Sequence, residues 1–212
     1  MPNWCNNNIT ISGDEGTIRT LTAVLKSIKT SDEEQSNNVF QSLIGLPQHM
    51  SDGDYKEKWY DTNIEWFGTK WDISYSEDMF NFSKNEISFS CETAWSPPIP
   101  FLQNLCEMYK VNANLFYSEG GVGFSGESTF NWVDGQLEVY DDECGYLEGI
   151  YKYSREEFWS EVESRVDCIL DEEQTLEDFI SEFDFVSEED KEELTRLYNE
   201  TINNNDEESE GE

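Results

Sequence analysis

An excess of 34 negative charges on a 212-residue chain sets the first condition on any fold it adopts. Like charges must be kept apart while enough apolar surface is gathered to offset the lost chain entropy. Asp and Glu number 47 against 13 Lys and Arg, and the imbalance is uneven along the chain. Residues 134–212 carry 29 acidic and 5 basic residues, whereas residues 1–133 carry 18 and 8. Hydrophobic residues make up 36% of the chain, but aromatics alone reach 14%, so a core can be assembled from a few large side chains. That argues against a wholly disordered chain. The field repels nucleic acid and anionic membranes and attracts basic protein surfaces. The basic residues before Asp134 form no patch, so direct nucleic-acid binding is not expected. No stretch approaches membrane-spanning length, and Met1-Pro2-Asn3-Trp4 does not open a secretory leader. Five widely spaced cysteines (Cys5, Cys91, Cys106, Cys144, Cys168) point to a reducing cytosol rather than a disulfide framework.

The pattern along the chain alternates between strand and helix periods. Ile9 and Ile11 alternate with Asn8, Thr10 and Ser12, a half-buried strand. Ile18, Leu21, Val24, Leu25 and Ile28 recur at helical spacing. Gln48 to Lys58 reads as a surface loop, and the aromatic span from Trp59 to Tyr75 is expected to contain a strand. Ile87, Phe89 and Cys91 alternate as another strand. Pro97, Pro98 and Pro100 then open a helix with Phe101, Leu102, Leu105, Cys106, Met108 and Tyr109 on its apolar face. Ala113, Leu115 and Tyr117 form the next strand, and Asp134-Gly135 marks the turn of a further hairpin. Strand, helix, strand, strand, helix, strand is the order of a ferredoxin-like α+β sandwich, βαββαβ, here with an extra hairpin. We assign residues 1–150 to this domain, 151–202 to an acidic helical extension and 203–212 to a disordered acidic tail.

Few constellations carry chemistry. Close carboxylate pairs are inevitable among so many acids, and a solvated acidic face explains them. A single histidine, His49, in a polar loop offers no triad and no zinc cluster, so neither catalytic residues nor a metal or cofactor are expected. Gly121-Val122-Gly123-Phe124-Ser125-Gly126 satisfies GxGxxG, but the residues after it look extended, so a glycine-rich hairpin is the better reading. The aromatic span holds one cation, Lys70, against Asp61, Glu65 and Asp72, which favours core packing over base stacking.

The acidic third is more informative. Phe158, Trp159, Val162, Val166, Ile169 and Leu170 form one apolar stripe on a predicted helix. Glu163, Asp167 and Asp171 stack at i, i+4, i+8, costing about 0.2–0.5 kcal/mol per like-charged pair. Counting Glu156, Glu157, Glu161, Glu163, Asp167, Asp171, Glu172 and Glu173, a rise of about 1.5 Å per residue gives about 3.4 Å per charge. One DNA strand presents a phosphate about every 3.4 Å. These eight residues are therefore the expected partner-binding surface.

Three segments carry a family resemblance. Met1-Pro2-Asn3-Trp4-Cys5-Asn6-Asn7, Phe67-Gly68-Thr69-Lys70-Trp71-Asp72 and Thr93-Ala94-Trp95-Ser96-Pro97-Pro98 resemble motifs of the YubB-like, Api-type family of phage and plasmid proteins. The resemblance covers about residues 1–140 and implies a ferredoxin-like domain, a mobile-element origin and the bacterial host cytoplasm. It supplies no catalytic residue. Trp4, Cys5, Trp71, Asp72, Trp95 and Ser96 sit in its motifs, serving either the fold or a ligand. The acidic helices after Tyr153 look like an extension beyond the shared part.

These readings lead to a non-enzymatic accessory protein of a phage or mobile element. It is expected to bind and inhibit a basic host protein, a nuclease or defence complex, through a surface that mimics DNA, as anti-restriction or anti-CRISPR proteins do. Two other functions fit the same sequence: a nucleotide-like small-molecule binder or enzyme using an aromatic cleft near Trp71 and Trp95, and a structural or assembly protein of the virus particle.

Overall fold

The computed structural model describes residues 3–28, 38–172 and 175–209, the side chains of 167–172 and 203–209 excepted. The chain divides into two compact units, Met1–Glu143 and Cys144–Glu212.

In the first unit β1 (Trp4–Ser12) buries Cys5, Asn7, Ile9 and Ile11 and turns Asn6 and Asn8 outward. α1 (Glu15–Ser27) begins where the Asp14 carboxylate accepts the Gly16 and Thr17 N–H groups, at 2.9 and 3.1 Å. That satisfies donors the helix itself cannot use. The 3.6-residue period puts Ile18, Leu21 and Leu25 inward. α2 (Val39–Ile44) and α3 (Asp52–Trp66) follow, then the three-residue β2 (Phe80–Phe82) and β3 (Glu86–Ala94). α4 (Ile99–Tyr109) leads to β4 (Asn112–Glu119), β5 (Phe124–Val133) and β6 (Gln136–Gly145).

The sheet order is β2-β3-β1-β4-β5-β6. Ile9 lies opposite Phe89 on one side and Leu115 on the other, both pairings antiparallel. With α1 and α4 as the crossovers, β1 to β4 form a ferredoxin-like sandwich, and β5 and β6 widen the sheet beyond β4. One core takes the inward residues of β1, β3 and β4 together with those of α1, α2 and α4, and Phe40 stacks on Phe101 at 4.1 Å. The Asp134-Gly135 hairpin forms as expected, with φ of 50° and 81°. Both central residues then have the positive φ of a primed two-residue turn, which suits the twist of its strands. The GxGxxG stretch is a strand turn: Gly126 lies within β5, and no helix follows it.

Two local expectations are corrected. Residues 52–66 are helical on either side of a kink at Lys58, rather than a loop running into a strand, and the second strand of the sandwich is β2, beyond the aromatic span. α3 lacks an apolar stripe, because the side chains it buries most deeply are Thr62 and Asn63. Its legible signal was the capping box: Ser51 Oγ accepts from the Asp54 N–H, and the Asp54 carboxylate reaches back to Ser51 N–H.

The second unit is helical: α5 (Tyr146–Tyr153), α6 (Arg155–Glu172), α7 (Leu176–Ser181) and α8 (Glu188–Ser209). Phe158, Val162 and Val166 are buried with Ile150, Phe179, Phe183, Val186 and Leu194, and Trp159 packs against them half-buried, so the described part of the predicted stripe of α6 faces a core; the side chains of Ile169 and Leu170 lie outside the described residues. α8 carries its backbone through Asn203 to Ser209, into the stretch expected to be a tail.

Asp190, on the first turn of α8, ties this unit together. Its carboxylate accepts from Arg155 Nη1 at 3.0 Å and Nη2 at 2.5 Å, and from Tyr151 Oη and Ser187 Oγ, each at 2.7 Å. Arg155 lies over the Tyr151 ring at 4.5 Å. The hydrogen bonds from Arg155, then those from Ser187 and Tyr151, hold Asp190 far below the usual carboxylate range against the cost of burial.

Candidate functional site

The three motif segments, far apart in sequence, meet at one end of the sheet. Trp4 is paired with Ala94 across β1 and β3, and the Trp95 N–H donates to Asn3 O at 3.0 Å. Thr69 Oγ1 donates to Ala94 O at 3.2 Å and accepts from Ala94 N–H at 3.1 Å. Ser96 Oγ donates to Gly68 O at 2.6 Å, and Thr93 Oγ1 donates to Ser96 O at 2.7 Å. Gly68 has φ of 83°, and a side chain there would run into the Pro100 ring. Small hydroxyl residues and one glycine thus weld the loop after α3 to the end of β3.

The weld holds three indoles out of the core. Trp4, Trp71 and Trp95 are 45%, 39% and 42% exposed. Trp4 and Trp71 have ring centroids 6.2 Å apart. Lys70 Nζ lies 4.4 Å from the Trp71 centroid and 4.7 Å from that of Trp95, within cation–π range of both. Its backbone is fixed from α3: Asn63 Nδ2 donates to Lys70 O, and Tyr55 Oη donates to Asn63 Oδ1, both at 2.9 Å. Trp95 has φ of 72°, a conformation that costs a bulky L-residue about 1–2 kcal/mol. Beside the indoles lies a cleft of about 300 Å³, lined in part by Trp4, Trp71, Asp72, Cys91, Glu92 and Thr93.

Asp72 has a structural task here. Its carboxylate accepts the N–H groups of Phe40 and Gln41, each at 2.8 Å, and of its own neighbour Ile73 at 2.7 Å. It therefore caps the N-terminus of α2 from a distant segment, where Asn38 makes no side-chain cap. Burial pushes its carboxyl up to about 6, opposed by the backbone N–H groups. Burial, with a lesser push from Glu119, drives the Cys5 thiol up to about 12, and burial drives Cys91 to about 12 as well. Both thiols therefore stay protonated at neutral pH and are poor nucleophiles. Cys5 packs beside Asn7, whose Nδ2 donates to Cys5 O, Cys91 O and Thr93 Oγ1 at 2.8, 3.2 and 2.9 Å. Of the six motif residues, Trp4, Trp71 and Trp95 face outward, whereas Cys5, Asp72 and Ser96 hold the frame. The rest of the aromatic span separates from them: Phe67 and Tyr75 are buried, while Trp59 and Tyr60 lie exposed on α3.

The acidic residues of α6 do not form a uniform ladder. Glu156 and Glu163 are exposed, but Glu157 accepts from Tyr146 Oη at 3.2 Å and Glu161 pairs with Arg165 at 3.2 Å. The side chains of Asp167, Asp171 and Glu172, and all of Glu173, lie outside the described residues. What the structure adds is a groove of about 690 Å³ between α6 and α8. Trp159 and Leu197 line it with Glu163, Glu189, Asp190, Glu192 and Glu193, and its cation is Arg196. Sequence reasoning missed the α8 side of this groove because a solvated acidic helix and a groove wall have the same composition.

Comparison with known proteins follows the same lines. No curated protein matches the chain. Among solved structures, the crystal structure of a protein Api92 from Yersinia pseudotuberculosis aligns at 9% identity, covering 69% of this chain and 98% of that one, with a TM-score of 0.37. A family model described as the ferredoxin-like domain in Api92-like protein matches residues 70–199. The matched span begins within the Phe67–Asp72 motif, takes in Trp71 and the whole Trp95 motif, leaves out the opening Met1–Asn7 segment, and runs on through α5 to α7 and into α8, so the acidic helices are not an extension beyond the shared part. It covers more than half of the sequence, and the chain belongs to this family of ferredoxin-like domains in Api92-like proteins.

Proposed function

We propose that this protein binds rather than catalyses, and that it captures a basic protein partner in the acidic groove between α6 and α8. The observation that carries the reading is the state of the groove's carboxylates. Asp190 is taken by Arg155, and Glu193 by Arg196. Glu163, Glu189 and Glu192 have no ion pair among the described residues and line the same concave surface beside Trp159 and Leu197. Trp159 and Leu197 lining the same groove as unpaired carboxylates suit a basic segment that brings both charge and apolar contact. In a phage or plasmid setting the partner is a host nuclease or defence complex, whose nucleic-acid groove offers such a surface.

The test is a salt titration of binding to a panel of purified host nucleases and defence complexes. A partner is expected to lose affinity steadily as salt rises, and E163K/E189K/E192K to weaken the complex at least about tenfold while the far-ultraviolet circular dichroism is unchanged. Binding that ignores both salt and the triple substitution would defeat the proposal, as would no binding across the panel.

A further inference from the structure

The indole cluster of the first unit is independent of the acidic groove and calls for its own ligand. Three segments converge to hold Trp4, Trp71 and Trp95 out in solvent, and the backbone at Trp95 sits where glycine would be relaxed and an aromatic residue is not. Constrained backbone that the surroundings over-determine is characteristic of ligand sites. Within the cluster lies a positive charge, the Lys70 ammonium, over two indole faces. Lys70 makes no ion pair among the described residues, although the chain carries 47 carboxylates against 13 basic side chains. The indoles thus already hold an ammonium without help from a carboxylate.

We propose that Trp71 and Trp95, with Trp4 beside them, form an aromatic cage for the alkylammonium group of a ligand, and that Lys70 is the internal stand-in which that ligand displaces. The chemistry is consistent on each count. Indole faces are the strongest aromatic partners of cations, and quaternary or alkylated ammonium groups lose less hydration than a bare one on entering such a cage. Trp4 and Trp71 also line an adjoining cleft of about 300 Å³, to which Glu92 brings a carboxylate, while Trp95 and Lys70 lie outside that lining. The field of the whole chain concentrates cations and opposes anions. Lys70 can leave because its ammonium is held by the two indole faces alone, while the hydrogen bond from Asn63 anchors only its backbone.

The role of Lys70 separates this proposal from an anion site, such as one for a nucleotide stacked on the indoles. If Lys70 is a displaceable occupant, removing its charge strengthens binding of a cation; if it is the recognition group for a phosphate, removing it abolishes binding. The experiment titrates tetramethylammonium chloride, with sodium chloride at equal ionic strength as the control, and adenosine monophosphate in a parallel arm. Tryptophan fluorescence is followed in the full chain, in K70M, and in K70M carrying W71A or W95G, with near-ultraviolet circular dichroism as the check on folding. Saturable quenching by tetramethylammonium beyond the sodium control is expected. It should be about tenfold tighter in K70M and lost when either indole is removed, W95G serving as the variant that relieves backbone constraint. The proposal is overturned if K70M binds the cation no more tightly than the unaltered chain. It is equally overturned if adenosine monophosphate binds and K70M loses it, or if neither probe binds. Its failure would leave the groove of the second unit untouched, since none of its residues belongs to that unit.

Discussion

At the scale of single residues, the site was half legible. The motif tryptophans could be named from sequence, but their meeting could not, because the contacts that bring them together are hydroxyl-to-carbonyl bonds from Thr69, Thr93 and Ser96. Such bonds leave no periodic trace. Trp95 shows the cost of the arrangement. Its φ of 72° favours glycine over any residue with a Cβ. W95G is therefore expected to melt at a higher temperature than W95A, by the equivalent of about 1 kcal/mol, although it is the smaller side chain. Elsewhere in a strand or helix that order is reversed, so thermal unfolding of the two variants is a direct reading of the backbone. Equal melting temperatures would show that the left-handed conformation is not held in solution. Asp72 makes a similar point: from sequence it is one acid among 47, and only the fold reveals it as the cap of α2.

At the scale of elements, the sequence was clear where apolar residues recur with a period and silent where they do not. β1, α1, β3, α4 and β4 each bury one face, and their alternation or 3.6-residue spacing showed it. α3 buries Thr62 and Asn63, and β2 is three residues long, so neither had a pattern to read. α5, α6 and α8 share the core of the helical unit and are tied together further by Asp190. Its pKa is depressed in the folded chain, so its contribution is present at pH values above the ordinary aspartate value of about 3.9 and fades as pH falls through the folded value. D190N is expected to destabilise the helical unit by about 1–3 kcal/mol at pH 7, reduced by the partial exposure of Arg155. The gap between D190N and the unaltered chain should narrow progressively as pH is lowered below about 4 toward the folded value. Helical circular dichroism on denaturation at pH 7 and pH 3 measures this; a gap that is constant with pH would show that the carboxylate's charge is not what ties α8 down.

At the scale of the whole molecule, the fold reconciles a large net charge with folding by sending most of the described acids outward around a core in each unit, with Asp72, Glu119 and Asp190 the buried exceptions. The repulsion does not vanish; it is a standing cost that solvent ions reduce. With a screening length of about 10 Å at 0.1 M salt, carboxylates on neighbouring turns still repel one another. Raising sodium chloride from about 10 mM to about 150 mM is therefore expected to raise the melting temperature, by several degrees if relief of self-repulsion amounts to about 1–2 kcal/mol. Differential scanning calorimetry at constant pH would register it, and a melting temperature that fell with salt would mean that ion pairs such as Arg155–Asp190 outweigh the repulsion.

The sheet ends on one side in β6, ten residues long, where Glu138, Asp142 and Glu143 are exposed alongside Val139 and Tyr140. The last strand of a sheet ordinarily invites a neighbour to add itself, copy upon copy, into a fibril. Here any identical strand laid alongside would bring a second row of carboxylates within about 5 Å of the first. Such a row of like charges disfavours pairing of one copy's β6 with another's at neutral pH.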